Sequence, residues 1–275
     1  MNSLWTKQMF DTTKPVIAMV HFPALPGAPL YDGDGGMDSI VDVVKKDVAA
    51  LQEAQVDGIM FCNENDRPYE FAVGPSTVAA MSYVIGRVKE MVSVPYGVDI
   101  LWDPVAAVAL AHAVGASFVR EVFTGTYDSD MGLWQSRAAE AVRLRAQLGD
   151  TNRVALLFNV SAEFASPLGR RSVAEIARSV AFSSLPDGIC VSGPMTGNAV
   201  ESRELDEVKK LVISTPIFVN TGVREDNVAE YLSIADGVII GTALKMQGQT
   251  FNPVDVGRAC KFMAAVQKFR NQFAM

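Results

Sequence analysis

Two short segments near the C-terminal end combine glycine with threonine: Asn220-Thr221-Gly222-Val223 and Ile240-Gly241-Thr242-Ala243. Glycine lets the backbone approach a ligand closely, and main-chain N–H groups in such turns hold an oxyanion without a basic side chain. Gly222 and Gly241 are therefore expected to cradle a phosphate. The Thr221 and Thr242 hydroxyls add donors, Asn220 stands alongside, and Ser192 and Gly193 contribute from the preceding unit. Lys245 either adds charge to the same anion or faces solvent. The competing reading is that both glycines do no more than make tight turns. A second set of polar residues closes apolar runs: His21, Asn63, Glu64, Asp99, Glu121, Asn159, Ser192 and Asn220. Of these, His21, Glu64, Asp99, Glu121 and Asn159 are the candidate catalytic residues, with a carboxylate moving a proton and His21 assisting. Asp99 and Glu121 lie inside apolar runs, where an ionised carboxylate needs a cation beside it. Arg120 is the adjacent cation, so a purely structural Arg120–carboxylate pair competes with catalysis. Glu64, Asp99 or Glu121 could alternatively hold a Mg²⁺ ion, the one cofactor the donor types leave open. Asp103 before Pro104 reads as a helix cap, His112 as an ordinary helical histidine and Cys62 as a small buried thiol.

Several chemistries are excluded. No apolar run contains the lysine of a Schiff-base aldolase. Cys and His do not cluster as a zinc site requires, and two histidines cannot make an all-histidine metal site. Neither a GxSxG elbow nor a GxxxxGK[ST] loop occurs.

These residues are positioned by a repeating pattern. The chain has 275 residues, 49% apolar and 20% charged, within the range of ordinary globular proteins. Its net charge is −7, from 24 basic and 31 acidic residues, which argues against a nucleic-acid surface. The start is polar and the most apolar stretch, Pro104–Ala116, is too short to span a bilayer, so no transmembrane segment is expected. The 3 cysteines stand far apart, which fits reduced thiols and a cytoplasmic location.

Eight short apolar runs read as buried parallel strands: Val16–Val20, Gly58–Phe61, Tyr96–Leu101, Ser117–Val122, Arg153–Phe158, Gly188–Val191, Ile217–Asn220 and Gly237–Ile240. Helical periodicity separates them over Asp38–Ala54, Thr77–Met91, Pro104–Val114, Leu133–Leu148, Val173–Phe182, Glu204–Val212, Asp226–Ile234 and Val254–Phe269. Strict alternation with right-handed crossovers predicts a single α/β domain, a (β/α)₈ TIM barrel over residues 1–275 with an N-terminal extension at 1–14. Asp-Gly precedes three of the strands (Asp57-Gly58, Asp187-Gly188, Asp236-Gly237) and reads as turn chemistry. The connections His21–Met37, Cys62–Gly74, Phe123–Gly132, Asn159–Arg171 and Ser192–Ser202 are long, and they follow strands, on the face where such barrels bind ligands.

Taken together, five stretches resemble the BtpA/SgcQ family: Val20-His21-Phe22-Pro23-Ala24-Leu25-Pro26-Gly27-Ala28-Pro29, Asn63-Glu64-Asn65-Asp66-Arg67-Pro68-Tyr69, Gly97-Val98-Asp99-Ile100-Leu101-Trp102-Asp103, Phe118-Val119-Arg120-Glu121-Val122-Phe123-Thr124-Gly125, and the end from Asn220-Thr221-Gly222-Val223 to Gly241-Thr242-Ala243-Leu244-Lys245. The likeness covers nearly the whole chain and is nearer to the SgcQ branch. It implies a phosphate-binding barrel. It also carries two loose functional associations, with photosystem I biogenesis and with nucleotide hydrolysis. Where that family often shows Val-Lys-His-Ala, this chain has Ala162-Glu163-Phe164-Ala165, and where the family often has Arg-Asn-Asp it has Trp102-Asp103.

The expected function is a lyase or isomerase acting on a small phosphorylated metabolite such as a sugar phosphate. The alternatives are a non-catalytic assembly or regulatory scaffold and, last, a nucleotide hydrolase. Self-association into a homo-oligomer is expected of such barrels, with Met1–Phe10 free to pack on a neighbour.

Overall fold

A computed structural model describes residues 5–273. The strands are β1 (Val16–His21), β2 (Gly58–Cys62), β3 (Tyr96–Asp99), β4 (Phe118–Glu121), β5 (Thr126–Ser129), β6 (Gly132–Gln135), β7 (Ala155–Asn159), β8 (Ala165–Pro167), β9 (Gly188–Val191), β10 (Ile217–Val219) and β11 (Gly237–Ile240). The helices are α1 (Trp5–Phe10), α2 (Gly36–Glu53), α3 (Pro75–Val88), α4 (Pro104–Val114), α5 (Ala138–Gln147), α6 (Val173–Ser183), α7 (Ser202–Leu211), α8 (Val228–Ile234) and α9 (Val256–Phe273). Eight of the strands pair in parallel and close in the order β1-β11-β10-β9-β7-β4-β3-β2, which is the predicted TIM barrel. All eight predicted runs supply a barrel strand, because each carries apolar residues for both faces. Ala18, Val20, Phe61, Val98 and Val119 pack under the helices, while Met19, Met60, Phe118, Leu157 and Phe218 fill the interior.

The three Asp-Gly pairs do more than turn the chain. Asp57 Oδ2 accepts the Val16 N–H at 2.7 Å, Asp187 Oδ2 that of Leu156 at 2.9 Å and Asp236 Oδ2 that of Ile217 at 2.9 Å. Each aspartate thus satisfies an amide at the start of a neighbouring strand and is itself paired with a cation, Arg270, Arg145 and Lys209 respectively. The glycines that follow make room for rings inside the barrel. A Cβ on Gly58 would stand 2.7 Å from the Phe10 ring, and one on Gly237 2.5 Å from the Phe218 ring.

The N-terminal segment closes this end. Trp5 and Phe10 of α1 are buried, the Trp5 Nε1 donates to the Asp187 carbonyl at 2.8 Å, and the Phe10 and Phe118 rings meet edge-on at 5.7 Å. From Trp5 onward the segment expected to pack on a neighbour therefore plugs its own barrel. Residues 1–4 lie outside the described residues.

Alternation breaks twice, after β4 and after β7. The predicted helix at Leu133–Leu148 begins only at Ala138, and Gly132–Gln135 forms β6, which pairs with β5 in a hairpin to which β8 adds. Trp134 is buried against Tyr127 while Leu133 is exposed, a period of two that the helical reading overlooked. Among the described residues no helix is long and apolar enough to cross a membrane.

Candidate active site

Because inward and outward side chains alternate along a strand, the barrel's upper layer follows from its lower one. Above the apolar interior the next inward positions carry His21, Asp99, Arg120, Asn159, Ser192 and Asn220, all buried. The sequence placed a polar residue at the end of most strands, and the barrel gathers them at its C-terminal mouth.

A cavity of about 640 Å³ opens there. On the β10–β11 side it is lined by Gly222, Gly241 and Thr242, joined by Arg224, Arg258 and Lys261. On the opposite side, where β4 faces β11 across the strand order, it is lined by Glu64, Arg120, Glu163 and Thr196. The two glycine–threonine turns thus share one cavity. Gly222 takes a φ of +64°, and a Cβ there would stand 2.3 Å from the Ala199 backbone, so only glycine fits. A Cβ on Gly241 would meet the His21 ring at 3.1 Å.

The other predicted cradle residues play supporting parts. Thr221 lines the cavity, but its Oγ1 already accepts the Gly193 N–H at 2.5 Å, which occupies that amide. Asn220 Nδ2 donates to Ser192 Oγ at 2.8 Å and to Glu163 Oε1 at 3.3 Å, while its buried Oδ1 has no hydrogen-bond partner. Lys245 neither joins the anion end nor faces solvent. It is 1% exposed and its Nζ donates to Asp47 Oδ2 at 2.7 Å.

The five catalytic candidates divide three ways. His21 and Glu64 line the cavity, Glu121 and Asn159 line a small chamber beside it, and Asp99, fully buried, lines neither. Asp99 Oδ2 accepts from Arg120 Nη2 at 3.1 Å and from the Cys62 thiol at 3.5 Å, so it fixes the guanidinium from behind. Burial works against the charge on Arg120, but the surrounding carboxylates, Asp99 foremost, more than offset it and hold the guanidinium protonated. Burial raises the carboxyl of Asp99, and burial together with the charge of Asp99 pushes that of Glu121 well up. Glu121 therefore stays neutral and donates its proton to Asp99, while its Oε2 accepts the Val122 N–H at 2.5 Å. His21 is neutral too. Burial, then the charges of Lys245 and Arg120, push it down to about 3. Its Nδ1 stands 3.2 Å from the Thr250 carbonyl and so carries the proton, which leaves Nε2 an acceptor beside Gly241.

Sequence reasoning missed Glu163 and Thr196. Thr196 Oγ1 lies 2.9 Å from Glu163 Oε2 and 3.2 Å from Glu64 Oε1. A hydroxyl has one proton, so it can donate fully to only one of the two carboxylates at a time. Burial, then the charge of Glu163, pushes Glu64 up to about 7, which makes Glu64 the natural proton carrier at neutral pH. Glu163 is raised by burial as well. The available signal was a carboxylate in one long loop and a hydroxyl in another, both following strands, with nothing in the spacing to show that they meet. Among the described residues no group of three His, Cys, Asp or Glu side chains is arranged to hold a metal ion. Of the carboxyls named for Mg²⁺, Asp99 is paired with Arg120.

The BtpA family model matches residues 12–268 of this chain. The chain is 44% identical over 266 residues to the sgc region protein SgcQ of Escherichia coli, covering 97% of this chain and 99% of that protein. It is 32% identical over 262 residues to the photosystem I biogenesis protein BtpA of Synechocystis, covering 94% and 90%. Among solved structures, phosphoribosyl anthranilate isomerase from Thermococcus kodakaraensis superposes with a TM-score of 0.53 at 16% identity, over 92% of this chain and 99% of that one, a likeness of fold. With a family model spanning nearly its whole length and SgcQ nearer to it than the cyanobacterial protein, the chain belongs to the BtpA family.

Proposed function

We propose that this barrel is an enzyme acting on a small phosphorylated metabolite of the sugar-phosphate kind, by proton transfer of the lyase or isomerase type. One observation carries the reading: the Gly222 and Gly241 turns and the Glu64–Glu163 pair line the same cavity of about 640 Å³. A phosphate seated against the two turns, with Arg224, Arg258 and Lys261 nearby, would anchor one end of the substrate. Its reacting carbon would then lie toward Glu64, whose carboxyl exchanges a proton near neutrality, with Glu163 and Thr196 completing the relay. His21, neutral and accepting, suits a substrate hydroxyl better than proton donation.

The test is calorimetry of the protein with a panel of sugar phosphates, compared with Gly241→Val, whose side chain would crowd His21 and fill the cradle. Binding of at least one phosphorylated compound, weakened tenfold or more by the substitution, is expected (~1.4 kcal/mol or more). Failure of every phosphate compound to bind would sink the reading. Binding without turnover, together with a stable protein partner, would favour the scaffold alternative. Nucleotide hydrolysis has no P-loop to support it.

A further inference from the structure

Behind the Glu64–Glu163 pair lies a second chamber of about 20 Å³. Glu64, Arg120, Glu163 and Thr196 form a wall common to it and the main cavity. Its other sides include Trp102, Glu121 and Asn159. Two of the residues that line it carry a buried N–H with no hydrogen-bond partner: Trp102, 3% exposed, at its indole Nε1, and Arg120, 6% exposed, at its Nε. A buried donor left unpaired costs about 1–3 kcal/mol, so two beside one small space call for an acceptor that enters it.

Both donors are held firmly. The Leu101 N–H donates to Asn63 Oδ1 at 2.9 Å, which ties down the chain just before Trp102, and the Trp102 ring meets Trp134 edge-on at 5.2 Å. The β5–β6 hairpin thus serves to back the indole. Asp99 holds Nη2 of Arg120. The space is about that of one oxygen-bearing group. The carboxyls around it disfavour an oxygen that arrives already charged.

We propose that this chamber is a carbonyl-oxygen subsite, in which the N–H groups of Trp102 and Arg120 receive the carbonyl oxygen of a keto or aldehyde substrate. In the reaction, the ionised member of the Glu64–Glu163 pair takes a proton from the carbon next to the carbonyl. The C–H electron pair becomes the C=C bond, and the carbonyl π pair moves onto the oxygen. The resulting enediolate oxygen is stabilised by the two donors and takes the proton of the neighbouring hydroxyl. That neighbouring C–O becomes the new C=O, and the C=C electron pair takes the proton back from the carboxyl at the former carbonyl carbon, which completes an isomerisation. The substrate class is thus narrowed from phosphorylated metabolites to phosphorylated carbonyl compounds. The inference rests on the proposed function for the anchoring phosphate, and on Trp102 and Arg120 for the carbonyl.

Matched pairs test it: ribulose 5-phosphate against ribitol 5-phosphate, and dihydroxyacetone phosphate against glycerol 3-phosphate, each pair differing only in carbonyl versus alcohol. By calorimetry the wild type is expected to bind the carbonyl member about tenfold more tightly. Trp102→Phe should abolish that preference and leave the dissociation constant for inorganic phosphate unchanged. A preference that survives in folded Trp102→Phe overturns the proposal, as does a wild type that binds phosphate but shows no preference. Should Trp102→Phe not fold, the ¹³C resonance of [2-¹³C]dihydroxyacetone phosphate on the wild type decides. A downfield shift of the carbonyl supports the subsite, and an unshifted line overturns it. If no phosphate compound binds at all, the proposed function fails separately. Dihydroxyacetone against glycerol then tests the chamber alone, equal binding overturning it and a carbonyl preference supporting it.

Discussion

Glu64 and Glu163 come from different loops yet share a single hydroxyl, that of Thr196, at 3.2 and 2.9 Å. Among the described residues neither carboxyl forms a direct ion pair. Instead Arg120 lowers both at a distance while burial raises them, and Glu64 settles at about 7. The charge of Glu163 is the second largest cause of that position after burial. Glu163→Gln should therefore lower the midpoint of Glu64 from about 7 to a value still above its ordinary 4.5, because the burial remains. Titration of the Glu64 carboxyl by ¹³C NMR checks this, and a midpoint unmoved or raised in Glu163→Gln would show that the two carboxyls do not interact.

His21 and Glu64 bend the pH dependence of stability in opposite directions. The folded-state value of Glu64 is raised, so its contribution is fully present below about 4.5 and is lost as pH rises through about 7. The folded-state value of His21 is lowered, so its contribution is present above 6.5 and is lost as pH falls toward about 3. Glu64→Gln should flatten the decline between pH 4.5 and 7, worth ~3 kcal/mol in the wild type, and His21→Asn the decline below 6.5, worth ~5 kcal/mol. Urea midpoints measured from pH 3 to 8 read both. Parallel curves for wild type and both variants would contradict these positions.

Much of this was legible in the residues themselves. Runs such as Val16–Val20 and Gly237–Ile240 announce buried strands because both of their faces are apolar, and the Asp103-Pro104 and Ser172 starts announce helices. Asp103 does accept from the Val105 and Ala106 amides, at 3.1 and 3.0 Å. A polar residue just past an apolar run marks the barrel mouth, which is why His21 and Asn220, and Glu64 two residues beyond β2, reach the cavity. Parity along the strand was the unused signal. Arg120 and Glu121 are neighbours on one strand and cannot both point inward, and Arg120 reaches the main cavity while Glu121 meets only the side chamber. Glu163, Thr196 and Arg258 were illegible for a different reason. They reach the cavity from loops or a distant helix, and no local period encodes where a loop folds back. Lys245 was misread because a lysine one turn past a glycine looks exposed until its partner, Asp47, is known to face it from α2.

The Lys245–Asp47 pair separates stability from anion binding. Both side chains are buried, at 1% and 3% exposure, and Asp47 Oδ1 also accepts the Val254 N–H at 2.8 Å. Removing one partner leaves the other buried and unpaired, a cost of roughly 3–5 kcal/mol. Lys245→Met should lower the urea midpoint accordingly, and adding Asp47→Leu should recover part of the loss. Phosphate affinity should stay within twofold of wild type in the double variant. A large drop in that affinity with the fold intact would return Lys245 to the cradle.

Gly222 and Gly241 line one cavity but should fail differently when a methyl is added. At Gly222 the left-handed φ of +64° costs an alanine about 1–2 kcal/mol, and its Cβ would also drive into the Ala199 backbone at 2.3 Å. Gly222→Ala should therefore destabilise the whole protein by ~2 kcal/mol or more and displace the loop between β9 and α7. At Gly241 the φ of −129° is not left-handed, and the contacts a Cβ would meet are side chains rather than backbone, the His21 ring at 3.1 Å and the Met19 side chain at 3.3 Å. Gly241→Ala should cost less stability than Gly222→Ala while weakening phosphate binding several-fold, because the added methyl stands where the anion would approach. Thermal unfolding together with phosphate calorimetry on the two variants separates these outcomes, and equal destabilisation with unchanged phosphate affinity in Gly241→Ala would show that this turn is structural only.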